Sequence, residues 1–194
     1  MSSGEQRTSE TLLVRLLNRE PAGWERLVHI YGPLVRFWAG QAGVREADTE
    51  DVCQEVFAAL PAGLASFERE RQGATFRGWL RGVTRYKAID FLRARARHPE
   101  ARGGTSANEL LNAAHDPGTN DDPPEQLSGL YHRALRLIQT EFEARSWEMF
   151  WRSAIDAHPA EMIAAEMGVS PAAVRKAKSR VLRRLKEEVG DLIS

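Results

Sequence analysis

The stretch from Thr75 to Arg97, TFRGWLRGVTRYKAIDFLRARAR, sets seven cations against a single acid, Asp90. The cations are Arg77, Arg81, Arg85, Lys87, Arg93, Arg95 and Arg97, and four rings, Phe76, Trp79, Tyr86 and Phe91, lie among them. Cations neutralise phosphates, and flat rings stack on unpaired bases of any identity. The chemistry on offer is therefore recognition of nucleic acid. At helical spacing Phe76, Leu80, Val83 and Phe91 share one face, suited to a core. Trp79, Tyr86 and Arg93 recur every seven residues as a second stripe, continued by Arg97. The bland alternative is a solvated basic helix whose rings all belong to the core.

A second candidate lies near the C-terminus, in PAEMIAAEMGVSPAAVRKAKSRVLRRLKEEV. It has the parts of a helix-turn-helix. Ile163 and the small Ala164 fit the first helix, and Met167 closes it. Gly168 suits a turn with positive φ. Val169 plugs the corner. Ser170 is a good N-cap and Pro171 suits the first helical position. Val174, Val181 and Leu185 form the inner face of the second helix. Ala172, Arg175, Lys176, Ser179 and Arg183 form its outer face, as on a helix laid in a major groove. An ordinary hairpin with a solvated basic face is the plainer account, but turn, cap and charge all agree on the DNA reading.

The remaining segments must position these two. Residues 1 to 10 read as a polar, disordered start, followed by a short helical pattern from Thr11 to Asn18. A longer helix runs from about Ala22 to Ala42, with Pro33 near a break or kink in it and Gly40 and Gly43 at its end. In VREADTEDVCQEVFAALPAGLASF, Asp48 or Thr49 caps a helix whose start is acidic. Val52, Val56, Phe57 and Leu60 share one face of it; Asp51, Gln54, Glu55 and Ala58 share the other. Pro61 and Gly63 stop or bend it, and Phe67 to Thr75 reads as a charged loop. No alternating run argues for a strand.

The chain of 194 residues has no net charge, but the charge is unevenly spread. Residues 98 to 126 carry a net −5 between segments of +3 and +2. That acidic piece is rich in Pro and Gly and reads as a flexible linker, with Glu109 to His115 as a short helix within it and Asp121 and Asp122 solvated. The expected fold is all-α: two small helical domains, at 11 to 97 and 127 to 190, joined by the linker. Cys53, the only cysteine, fits packing inside a helix better than nucleophilic chemistry. No leader-like start and no apolar run long enough to span a membrane is present. These features suit a reducing cytoplasm.

The order of parts resembles a known family. DTEDVCQEVFAAL followed by FRGWLRGVTRYKAIDFLRARAR looks like the second conserved region of bacterial RNA polymerase sigma factors. The helix-turn-helix at 159 to 188 looks like the fourth. With only a linker between them, the chain is similar to the extracytoplasmic-function (ECF) members of the sigma-70 family. The resemblance implies that Asp51, Gln54, Glu55 and Ala58 dock on core RNA polymerase, at the clamp helices of its largest subunit. It implies that Arg77, Trp79, Tyr86, Lys87, Arg93 and Arg97 read and open the minus-ten element of promoter DNA. Ala172, Arg175, Lys176, Ser179 and Arg183 match residues that read the minus-thirty-five element. The flap of the polymerase is a further implied contact, and a regulator such as an anti-sigma factor is compatible with it. Many relatives carry asparagine where this chain has Tyr86, and a tryptophan near Pro61-Ala62-Gly63.

Two other classes compete. A helix-turn-helix regulator with an unrelated helical ligand-binding or dimerisation domain explains the C-terminus but leaves the arginine-rich aromatic helix unassigned. An enzyme fits poorly: HExxH, GxxxxGK[ST] and GxSxG are absent, and the histidines at 29, 98, 115, 132 and 158 are scattered. No catalytic residue, cofactor or metal site is expected.

Overall fold

The computed structural model describes residues 12–69, 75–97 and 122–193. Among them are eight α-helices and no strand: α1 (Leu12–Leu17), α2 (Pro21–Gln41), α3 (Thr49–Arg69), α4 (Phe76–Arg97), α5 (Pro124–Ile138), α6 (Ala144–Ala154), α7 (Ala160–Met167) and α8 (Pro171–Ile193). The expected all-α class is what forms. The short helix expected at Glu109 to His115, and most of the expected linker, lie outside the described residues. The chain divides into two compact units, the division falling within α5 between Leu130 and Tyr131.

In the first unit α2, α3 and α4 each pack on the other two, and α1 packs on α2 and α3. Leu27, Ile30, Leu34 and Val35 of α2 meet Val52, Val56 and Leu60 of α3 and Leu80 and Val83 of α4, all fully buried. An aromatic cluster closes one end. Phe76 stands edge-on to Tyr31 and Phe67, with centroids 5.5 and 5.8 Å apart, and Trp79 stacks on Phe67 at 5.1 Å. Gly23 lets α1 approach closely, since a Cβ there would meet Arg15 Cβ at 3.0 Å. Cys53 is buried, and burial pushes its thiol up to about 11, as a packing role requires.

Three expectations need correction here. Pro33 does not break α2, which runs through it from Pro21 to Gln41. Pro61 likewise lies inside α3, which continues through Gly63 to Arg69 and so takes the first part of the expected loop. Each proline removes one N–H from the ladder, opposite the carbonyls of His29 and Phe57. The buried side chains on both sides of each, Tyr31 and Leu34 in α2 and Leu60 and Leu64 in α3, hold the helical path. Third, Asp122 is not solvated but buried at 7 % exposure, and Pro124 to Gln126, read as linker, form the first turn of α5.

In the second unit Leu135, Ile138, Trp147, Phe150 and Val181 make one cluster and Met149, Ile163, Ala164, Val174 and Ala177 a second. Charged side chains tie the elements at their rims. Arg184 of α8 makes a two-pronged bond to Glu141, at 2.6 and 2.8 Å, and also reaches the buried Glu188. Arg145 donates to the Met167 carbonyl at the end of α7, where the helix dipole favours a cation. Arg152 pairs with Glu166.

Candidate nucleic-acid interface

The turn between α7 and α8 is built by local chemistry. Gly168 sits at φ +63 in the left-handed region, and the Val169 N–H reaches back to the Ala164 carbonyl at 3.0 Å. The Ser170 hydroxyl accepts the Ala173 N–H at 3.2 Å, and Pro171 opens α8. Val174, Ala177 and Val181 turn inward and are buried. This leaves Ala172, Arg175, Lys176, Ser179 and Arg183 exposed along the outer face. Arg175 reaches Glu161 of α7 at 3.3 Å, and Arg183 lies 3.7 Å from Glu187 one turn on. Arg175, Ser179 and Arg183 also line a shallow groove with Lys178, Lys186 and the exposed Leu182. The five residues singled out from sequence are thus brought together on one exposed, cationic helix face.

On α3, Asp51, Gln54, Glu55 and Ala58 are all exposed on the side away from Val52, Val56 and Leu60. Just before α3, Asp48 accepts from Arg45 at 2.8 Å and pairs with Arg95 of α4 at 2.6 Å. The Arg45 hydrogen bond, then that of Arg95, holds the Asp48 carboxyl below its ordinary range.

The stripe on α4 is not uniform. Thr75 caps the helix, its hydroxyl accepting the Gly78 N–H at 3.0 Å. Trp79 is buried at 3 % exposure in the aromatic cluster, Tyr86 is half-buried, and Arg93 is exposed. A heptad stripe drifts about 20° per repeat on a straight helix. Here it begins in the core and emerges only further along. Trp79 is therefore unavailable for stacking on a base, a correction to the sequence reading. Lys87 is also buried, its ammonium 3.6 Å from Glu55 of the acidic face. The Arg97 side chain lies outside the described residues. That leaves Tyr86 and Arg93 as the accessible members of the set, with Arg85 exposed nearby.

Arg77 behaves differently again. Its side chain is 12 % exposed, with Nε 3.7 Å from Asp122 Oδ2. Arg81, one turn on, lies 3.7 Å from Asp122 Oδ1, and Trp38 Nε1 donates to that same oxygen at 2.6 Å. Sequence reasoning missed this cluster. Its partners are up to 84 positions apart, so no spacing pattern joins them.

The described residues hold no group of three or more His, Cys, Asp or Glu that could bind a metal, and no helix long and apolar enough to cross a membrane. Within this frame the class of the first unit is defined: residues 27–98 match the family described as Sigma-70 region 2. Over 144 residues the chain is also 32% identical to "Probable RNA polymerase sigma factor RfaY" of Xanthomonas campestris pv. campestris. That match covers 74% of this chain and 34% of the relative, so the chain spans about a third of the relative's length. Residues 27–98 are thus similar to region 2 of the sigma-70 family, and the longer match is to a protein named as an RNA polymerase sigma factor.

Proposed function

We propose that the protein is a sigma factor of ECF type, which binds core RNA polymerase, directs it to specific promoters and promotes DNA opening. One observation carries this reading. Within the region-2 match, an exposed acidic face on α3 and a cationic, ring-bearing α4 lie side by side, joined by the Glu55–Lys87 pair. Asp51, Gln54, Glu55 and Ala58 dock on the clamp helices of the largest subunit, whose recognition of a polar, acidic face calls for a basic partner. Tyr86, Arg93 and their neighbours meet the minus-ten element. The outer face of α8 reads the minus-thirty-five element in the major groove, and the flap engages the second unit. Bond-making belongs to the polymerase; the chain itself is not an enzyme and needs no cofactor. It acts in the cytoplasm, and a regulator such as an anti-sigma factor acts by covering one of these surfaces.

The test is binding of the full chain to purified core polymerase without DNA, followed by run-off transcription on a random promoter library. A sigma factor binds core and selects a common sequence from the library. Absence of core binding overturns the reading, and sequence-specific DNA binding without core would support a helix-turn-helix regulator in its place.

A further inference from the structure

The cluster of Trp38, Arg77, Arg81 and Asp122 is more than a buried ion pair. Its three donors converge from α2 and α4, and Arg77 occupies the first turn of α4, where the helix dipole favours an anion. The Asp122 carboxylate fills this place almost completely shielded from solvent, its side chain 1 % exposed. Yet it fills it badly. Only the indole N–H donates at hydrogen-bond distance; both guanidinium contacts are 3.7 Å. Arg77 Nε and Asp122 Oδ2 face each other, both buried, and neither makes a hydrogen bond. Buried polar atoms are normally satisfied, and a charged pair left loose forfeits most of what would offset its desolvation. A tetrahedral anion with oxygens on every side spans more space than a planar carboxylate. A phosphate would reach both guanidinium groups and the indole together.

We propose that Trp38, Arg77 and Arg81 form a phosphate site, occupied in the free chain by Asp122, and that a phosphodiester of DNA displaces that carboxylate. The chain thereby holds one of its own nucleic-acid contacts closed until Asp122 leaves. Asp122 lies two residues before the first turn of α5. This deepens the proposed function, since it rests on α4 meeting DNA.

The test uses the full chain and a labelled 12-nucleotide single-stranded DNA, followed by anisotropy across a salt series. Asp122→Asn should bind about tenfold tighter than wild type, because the fraction of open site rises. Its salt slope should steepen by about 1 to 2, one for each arginine released to phosphate. Asp122→Ser removes the carboxylate while sparing all three donors, and should give a gain in the same direction. Adding Arg77→Ala to Asp122→Asn should abolish the gain. If Asp122→Asn fails to fold, as circular dichroism would reveal, Asp122→Ser decides: a gain supports the proposal and none overturns it. Folded variants with wild-type affinity and salt slope overturn it. So does stabilisation of Asp122→Asn by inorganic phosphate without tighter oligonucleotide binding, which would assign the site to a free phosphate. The assay needs no polymerase, so failure to bind core polymerase would sink the sigma-factor reading without touching this result.

Discussion

The Lys87 ammonium and the Glu55 carboxylate, 3.6 Å apart, join the acidic face of α3 to the cationic helix α4. Glu55 is half in solvent while Lys87 is nearly all buried, its side chain 8 % exposed. The two acids of that face are therefore not equivalent. Asp51→Lys, with no such neighbour described, should leave the melting temperature unchanged and weaken core polymerase binding about tenfold. Glu55→Lys should also cost about 1 kcal/mol of stability, or roughly 2–4 °C, by setting two ammonium groups together. Calorimetry beside a core-binding titration separates the two. Equal melting temperatures would show that the pair contributes nothing to the fold.

Trp79 should act through the core and not through DNA. It stacks on Phe67 and packs against Phe76. Trp79→Ala should cost about 3–5 kcal/mol, enough to unfold a marginal domain, whereas Trp79→Phe should retain most of the packing. Urea melts of both variants are the check. A stable Trp79→Ala that fails only in promoter opening would return the ring to the DNA face.

Tyr86 carries the opposite expectation. Its half-buried ring lies one heptad further along the emerging stripe. Stacking on an opened base is worth roughly 1–3 kcal/mol and tolerates any base. Permanganate footprinting of open complexes should find melting retained by Tyr86→Phe and reduced by Tyr86→Ala. Melting unaffected by Tyr86→Ala would remove the stacking role.

On α8, Arg175→Ala with Lys176→Ala should weaken binding to the upstream element while stability stays within about 0.5 kcal/mol, since both residues are exposed. For each contact made only to phosphate, the salt slope should fall by about 1. If Arg175 instead reads a guanine edge, its loss costs roughly 1–3 kcal/mol at one base pair of the site. Gel-shift titrations on a selected site in several salt concentrations report both quantities, and unchanged binding would dismiss α8 as the recognition helix.

Asp48 gives the fold an acid-sensitive contact. Its folded-state pKa lies below the ordinary 3.8, through Arg45 and then Arg95. The unfolded chain therefore takes up the proton first as pH falls. The contribution is fully present above the ordinary value and is lost as pH drops through and below it. Melting temperature followed from pH 6 to pH 3 should fall more steeply for wild type than for Asp48→Asn. Parallel curves would mean that the contacts of Asp48 with Arg45 and Arg95 add no stability.

Legibility followed range along the chain. Gly168, Ser170 and Pro171 specify their turn within a few residues, and each takes the place its chemistry indicates. The two faces of α3 also follow from periodicity, because Val52, Val56 and Leu60 are buried and Asp51, Gln54 and Glu55 are not. Pro33 and Pro61 misled because the local rule against proline was outweighed by packing that only the assembled helices supply. Trp79 and Lys87 misled because spacing gives a stripe but not what covers each end of it. Asp122 was illegible in principle: a Pro-rich acidic segment looks solvated until Trp38 and two arginines are seen around it.

The prolines inside α2 and α3 also bear on how the first unit comes to exist. A lone helix in water is marginal even with good helix formers throughout, and an interior proline costs about 3 kcal/mol more. Peptides cut to Pro21–Gln41 or Thr49–Arg69 should remain coil in isolation, so neither can serve as a preformed seed onto which the other condenses. The two must gain their structure together, in the same step that brings Leu34, Leu60 and Leu80 out of water. Chain collapse and helix growth are then one kinetic event, and a truncation that removes either segment during synthesis takes from the other one of the two long helices it packs on.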